Sequence, residues 1–392
     1  MSMVEGVTAA TVPPAQQQRP KTAFPPVVPA SSPIAQRPLP HLKPSSGCLQ
    51  IAAAPSFNSQ QLDKQLQRYL RFVATFGRPD ILIVGSSRAL QGIEPIVLQQ
   101  ILASRGYPNL KIFNLGVNGA TAQLVDLLLR EILSPDQLPR LLLWGDGVRA
   151  FNSGRVDLTY DRAIASQSYQ FLAAGIRPTV PSVDSSVVGL CAATMLPRFS
   201  DTGTSTKAFD FVSSAVPVLQ KIHYEPLKRW SVSAPFTDFP NSTIAKLQDE
   251  TGFQPFLEQF KPERYFQHYS KVEGKYDADY RDFNLDGKQT QAFNNVMQLA
   301  QKHQIPVVFV NLPVTQVYLD EARMASEQQF RAYLQRFARS HALRVYDLSQ
   351  RWPNQNAYFT DPSHLNRYGA AAVATELGRS LVLPQAWFQG YR

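Results

Sequence analysis

The hydrophobic period of the chain switches repeatedly between two values. Short, uninterrupted apolar runs occur as "ILIV" at Ile81 to Val84, "LKIFNLG" at Leu110 to Gly116, "RLLLWG" at Arg140 to Gly145, "IPVVFVN" at Ile305 to Asn311 and "LRVYDL" at Leu343 to Leu348. Segments of helical period separate them. In "NSQQLDKQLQRYLRFVATFG" the residues Leu62, Leu66, Tyr69, Leu70 and Val73 share one helical face, Asn58 or Ser59 can cap the start, and Gly77 can stop the helix. "EPIVLQQILASRG" has Pro95 at its start and Gly106 past its end, the polarity a helix requires. Further helices are expected from about Thr121 to Leu133, near Gln289 to His303 and near Ser326 to His341, with a last one starting close to Leu365. Strands that are apolar on both sides need cover on both sides. Five of them separated by amphipathic helices therefore specify an α/β fold, a five-stranded parallel sheet with helices on both faces.

Ligands of such sheets bind beyond the carboxyl ends of the strands. Every strand here ends in a polar or glycine-bearing cluster: Gly85-Ser86-Ser87-Arg88, Asn114-Leu115-Gly116, Gly145-Asp146-Gly147, Asn311-Leu312-Pro313 and Asp347. These clusters are expected to converge on one rim. A serine hydroxyl becomes a nucleophile when a base takes its proton and an acid fixes the tautomer of that base. "YFTDPSHLNRYGAAAVATEL" supplies such a pair, since Asp361 and His364 stand three residues apart ahead of an Ala-rich helix and can share one side of a turn. Taken alone, Gly-Ser-Ser also fits an ordinary turn and Asp361 also fits a helix cap. Order and placement favour chemistry: a serine after the first strand, Asp and His after the last, glycine loops after the second and third.

In these motifs the chain resembles the SGNH (GDSL-type) hydrolase superfamily. Its Gly-Asp-Ser block is matched by Gly85-Ser86-Ser87, its second block by "NLGVNGAT", and its Asp-x-x-His block by Asp361 and His364. The resemblance implies a flavodoxin-like sheet, Ser87 as nucleophile, and His364 and Asp361 as base and orienter. It also implies the backbone amides of Ser87 and Gly119 as donors to a developing oxyanion. The third block departs from the family's Gly-x-Asn-Asp: "LLLWGDGVRAFNSGR" puts Asp146 where a donor is wanted, and an ionised carboxylate only accepts. Asn152 is the candidate substitute donor. The combination "GSSR", "WGDGVRAF" and "DPSHLNRYG" looks more like a bacterial branch related to acyl-transfer proteins of cell-envelope polysaccharide and teichoic-acid modification. That likeness implies a serine that hands an acyl group, acetyl or alanyl, to a sugar hydroxyl, with Arg88, Asp146, Arg149 and Arg155 positioning substrate or else locking the insertion to the sheet by salt bridges.

The α/β pattern is interrupted between Ala150 and Gly287, so residues 151–287 read as a mostly helical insertion, a lid or cap over the rim or a packing elaboration. Residues 1–55 hold eleven of the thirty prolines, with one acid against four bases, and read as a disordered tail able to serve as linker or docking peptide for a protein partner. The remaining 56–392 form the sheet domain.

Several function classes are disfavoured. The charge of +9, from 39 basic and 30 acidic residues, is scattered without basic runs, so nucleic acid is not an expected partner. Two cysteines, Cys48 and Cys191, exclude a disulfide framework, and no pair of the six histidines has ligand spacing, so no metal is expected. No Gly-x-Gly-x-x-Gly follows the first strand, so no dinucleotide cofactor is expected either. "KYDADYRDFNLDG" lacks the alternating ligands of a calcium loop and reads as a solvated closing loop. Neither a signal peptide nor a run long enough to span a membrane is visible, which makes the chain cytoplasmic by default, with envelope association implied only by the resemblance. Two rival readings stand beside an ester hydrolase or O-acyltransferase. One is a catalytically inactive SGNH-fold binding or assembly protein, supported by Asp146; the other is phosphate binding at Ser86, Ser87 and Arg88.

Overall fold

The computed structural model describes residues 56–178, 250–272 and 277–384, all within one compact unit, Gln50–Arg392. The expected tail over 1–55 and the middle of the expected insertion lie outside the described residues. The five apolar runs form β1 (Ile81–Val84), β2 (Ile112–Asn114), β3 (Leu141–Asp146), β4 (Val307–Asn311) and β5 (Leu343–Asp347). They pair in parallel throughout, in the order β2-β1-β3-β4-β5. This is the flavodoxin-like order, which reverses direction between β1 and β3 and opens a crevice at their carboxyl ends.

Side chains alternate across each strand and divide the interior into two cores. Leu82, Val84, Leu142, Trp144, Val307 and Phe309 face one side. They pack beneath α1 (Gln60–Phe76), α4 (Ala122–Asp126) with the π-helical turn Leu127–Ile132 that continues it, α8 (Lys288–Lys302) and α9 (Glu321–Ser340). Ile81, Ile83, Leu141, Leu143, Val308 and Val310 face the other side, beneath α2 (Ser87–Gly92), α3 (Pro95–Ser104) and α10 (Arg367–Ser380). The described parts of the insertion include α5 (Leu158–Ile164), α6 (Gln167–Ala173) and α7 (Pro262–His268).

Local chemistry explains where the elements begin. Ser59 accepts the Leu62 amide at the start of α1, and Asn366 accepts the Tyr368 and Gly369 amides at the start of α10. Helix α9 starts five residues ahead of its expected position, because Asp320 accepts the Arg323 amide at 2.9 Å and pairs with the buried Arg323 guanidinium at 2.8 Å. An arginine buried by pairing breaks the apolar period that sequence reading follows. Helix α2 has only six residues, too few to mark a helical period in the sequence, and five of the six are buried.

Two features of the insertion bear on the rim. Its ends are zipped into a neck, where Ser153 donates to the Asn284 carbonyl at 2.7 Å and Asn284 donates to Asn152 Oδ1 at 2.8 Å. Its returning segment, Gly252 to Phe260, is strapped across the domain. Gln65 donates to Gly252 O, the Gln254 amide to Leu90 O, the Arg367 amide to Phe256 O and the Phe260 amide to Phe359 O. The strap thus ties α2 to the start of α10. Among the described residues, no helix is long and apolar enough to cross a membrane.

The first core is centred on rings. Phe293 of α8 is fully buried and meets Trp144 at 5.0 Å, Phe151 at 5.2 Å and Phe337 at 4.3 Å between centroids. Phe293→Ala is expected to lower unfolding free energy by about 3–5 kcal/mol in urea denaturation. The exposed Phe266→Ala should change it by about 0.5 kcal/mol or less.

Candidate active site

The first strand ends at Gly85, whose φ of +137° belongs to glycine and whose missing side chain makes room for the Gly145 carbonyl on β3. Ser86 then caps α2, its hydroxyl accepting the Arg88 amide at 3.2 Å. Ser87 becomes the first residue of that helix, where backbone amides have no intrahelical acceptor. The loop after β2 lies against this turn, since the Val117 amide donates to Gly85 O at 2.9 Å.

The second half of the site is one tight loop. Phe359 and Leu365 form an antiparallel bridge, and the Thr360 amide donates to His364 O at 2.9 Å. Inside the loop Asp361 Oδ1 accepts the Ser363 amide at 2.7 Å and the His364 amide at 2.9 Å, while Oδ2 lies 2.8 Å from His364 Nδ1. His364 Nε2 lies 2.9 Å from Ser87 Oγ. A carboxylate only accepts, so Nδ1 carries the proton and Nε2 keeps a lone pair directed at the serine hydroxyl. The imidazole is largely enclosed, its side chain 16% exposed. Burial opposes ionisation of Asp361, but the charge and hydrogen bond of His364 and the two loop amides together pull its carboxyl down to about 2. The arrangement can remove a proton from Ser87 Oγ and hold it on a ring whose opposite face is braced.

The other expected residues divide into four groups. Gly119 stands in the loop after β2 with φ +73° and packs against Thr159 of α5. Asn152 does not stand ready as a donor: both hydrogens of its amide go to the carbonyls of Asp279 and Arg281, each at 2.9 Å, so it holds the neck of the insertion. Asp146 and Arg88 are not at the substrate surface. Asp146 is 2% exposed and accepts from Ser86 N, Ser86 Oγ and the Gly147 amide, at 2.9, 2.9 and 3.0 Å. Arg88 is 6% exposed and donates to the carbonyls of Leu312 and Pro313. Its guanidinium fills the space over Gly147, so any side chain there would collide with it. Burial lowers the Arg88 pKa, as does the Arg149 charge, while Glu327 and Asp146 act in the opposite direction.

Arg149 and Arg155 converge on Asp279, at 3.3 and 3.1 Å, and Arg155 also donates to Arg149 O at 3.1 Å. Arg149 stacks its guanidinium 5.7 Å from the Tyr318 ring centre and reaches Ser363 Oγ at 3.4 Å. The salt-bridge alternative raised for these two arginines is therefore the arrangement present.

Sequence reading missed four contributors. Ser86 was passed over beside Ser87. Ser363 lies 3.2 Å from His364 Nδ1 and 3.4 Å from Asp361 Oδ1. Asp279 belongs to the stretch expected to be a solvated loop, yet it carries both arginines. Glu327, buried on α9, accepts from Asn311 Nδ2 at 2.6 Å. The only sequence signal for Asp279 was its place in an acidic cluster, which does not specify pairing.

This sheet order, with a serine after the first strand and Asp-x-x-His after the last, is similar to that of SGNH hydrolase-like proteins. Residues 259–378 match the family model of the DltD protein, a stretch that contains Asp361 and His364 but not Ser87. Among solved structures the chain is similar to a Bacteroides fragilis protein described as a "putative acylhydrolase", at 13% identity and a TM-score of 0.33, over 84% of this chain and 98% of that one. No curated protein matches the chain.

The lowered Asp361 pKa sets a pH dependence. A carboxyl depressed to about 2 contributes stability that is present above its unfolded value near 3.9 and is lost as pH falls toward about 2. Asp361→Asn should therefore be less stable than the wild type at neutral pH, with the gap between their urea midpoints closing below about pH 4. A gap independent of pH would remove the electrostatic account of the pair.

Proposed function

We propose that the chain is a serine-dependent acyl ester hydrolase or O-acyltransferase acting on an O-acylated carbohydrate or similar ester. Ser87 is the nucleophile, His364 the general base and Asp361 its orienter. The observation that carries this reading is the continuous path from Ser87 Oγ through His364 to Asp361, at 2.9 and 2.8 Å, on the carboxyl rim of the sheet. Its two halves stand 277 residues apart in sequence. Such a path over so long a separation has no structural necessity, whereas nucleophilic catalysis requires it.

In the first half-reaction Ser87 Oγ attacks the acyl carbonyl as its proton passes to His364 Nε2. The tetrahedral oxyanion lies under the Ser87 and Gly119 amides, each donor of this kind being worth about 3 kcal/mol of barrier. His364 returns the proton to the departing alkoxide oxygen, which leaves as an alcohol, and the acyl group remains on Ser87. In the second half-reaction His364 takes a proton from water or a sugar hydroxyl, that oxygen attacks the acyl carbon, and Ser87 recovers its proton on release.

The DltD match favours transfer over simple hydrolysis and makes an alanyl or acetyl group on a cell-envelope polymer the acyl class we favour. In this reading residues 151–287 act as a cap beside the crevice, and residues 1–55 are a linker to a protein partner. The non-catalytic alternative drew on Asp146 as a failed oxyanion donor. Its three accepted hydrogen bonds give it other work, and nothing else in the site favours that alternative.

A fluorophosphonate probe should label the wild type and not Ser87→Ala, and hydrolysis or transfer of short acyl esters should fall by at least about 1,000-fold in that variant. Equal labelling of both proteins would sink the assignment.

A further inference from the structure

Asp146 was expected to face a substrate, and it faces the nucleophile turn from below. One carboxylate oxygen accepts Ser86 N–H, and the other accepts both Ser86 Oγ–H and Gly147 N–H. Because Ser86 Oγ gives its proton to Asp146, its lone pairs are left to accept the Arg88 amide. The amides on both sides of Ser87 are therefore fixed through one buried carboxylate, and the Ser87 amide lies between them. We propose that Asp146 is a positioning residue for Ser87, acting through Ser86 from the neighbouring strand. This inference rests on Ser87 being the nucleophile.

Charge and space agree with that role. Burial pushes the Asp146 carboxyl up to about 6, and Arg88 together with the hydrogen bonds from Ser86 and Gly147 acts to hold it down. Arg88 is anchored in turn to the carbonyls of Leu312 and Pro313 after β4, so the ends of β1, β3 and β4 form one rigid unit. Gly147 supplies the room for the guanidinium. An asparagine at 146 has one oxygen where the carboxylate uses two. In either orientation its NH2 group would face a backbone N–H, that of Ser86 or that of Gly147. The turn would shift even though the side-chain volume is unchanged. Misplacement of a nucleophile lowers the rate of the bond-forming step more than it weakens binding.

The test is saturation labelling of Ser87 by a fluorophosphonate, giving a maximal inactivation rate and an apparent inhibitor constant. It covers the wild type, Asp146→Asn, Ser86→Ala, the double variant and Phe293→Leu, each with a thermal midpoint. Asp146→Asn should lower the maximal rate by about 10- to 100-fold with the inhibitor constant within about two-fold. Ser86→Ala should slow it in the same sense, and the double variant should be no slower than Asp146→Asn, because both act on one linkage. Phe293→Leu loosens the ring cluster of the first core without touching Ser86, so it should lower the thermal midpoint and leave the labelling rate unchanged. If Asp146→Asn does not fold, Ser86→Ala alone decides: wild-type labelling by that variant overturns the inference. A wild-type rate in a folded Asp146→Asn, or a loss confined to the inhibitor constant, also overturns it. Absence of labelling on Ser87 in the wild type would instead overturn the nucleophile assignment beneath it.

Discussion

A buried carboxylate at the carboxyl end of β3 organises the rim. Asp146 accepts three hydrogen bonds, two of them from Ser86, and the buried Arg88 supplies compensating charge. A buried carboxylate is costly to desolvate and is retained where hydrogen bonds satisfy it. The small residues around it follow from that requirement. Gly85 allows the turn to pass the Gly145 carbonyl, and Gly147 leaves room for the guanidinium. Once the turn is fixed, Ser87 emerges at the β1/β3 crevice and within 2.9 Å of His364.

The insertion is coupled to this site by two routes. At its neck, Asp279 holds Arg149 and Arg155, and Arg149 reaches Ser363, whose hydroxyl touches both His364 and Asp361. On its return, the strap from Gly252 to Phe260 bonds to Leu90 of α2 and to the Arg367 amide just beyond His364. Both halves of the Ser87–His364 pair are thus braced by the same insertion. A change in the insertion would be felt as a change in their alignment, since packed elements shift as units and transmit strain.

Much of the sheet was legible in the sequence because β1, β3 and β4 are apolar on both faces and the helices between them are amphipathic. Strand β5 was legible too, although it is an edge with only Leu343 buried. The order of Ser87, Asp361 and His364 was likewise readable, since chemistry at a strand end needs few residues and leaves a motif. The roles of Arg88, Asp146 and Asn152 were not readable. A charged side chain near a strand end looks the same in sequence whether it points into solvent, toward a substrate or under a turn. That choice is made by tertiary partners such as Leu312 O, Ser86 N and Asp279 O. Helix α2 was hidden because its six residues are too few to set a period.

The central claim is that Ser87 carries the acyl group in the reaction. Acid quenching the protein during turnover of an activated acyl ester, followed by peptide mass mapping, measures this directly. The account expects the acyl mass on the peptide containing Ser87, accumulating with the burst of released alcohol and disappearing as substrate is exhausted. An acyl mass on any other residue, or turnover with no covalent intermediate at any quench time, would contradict it.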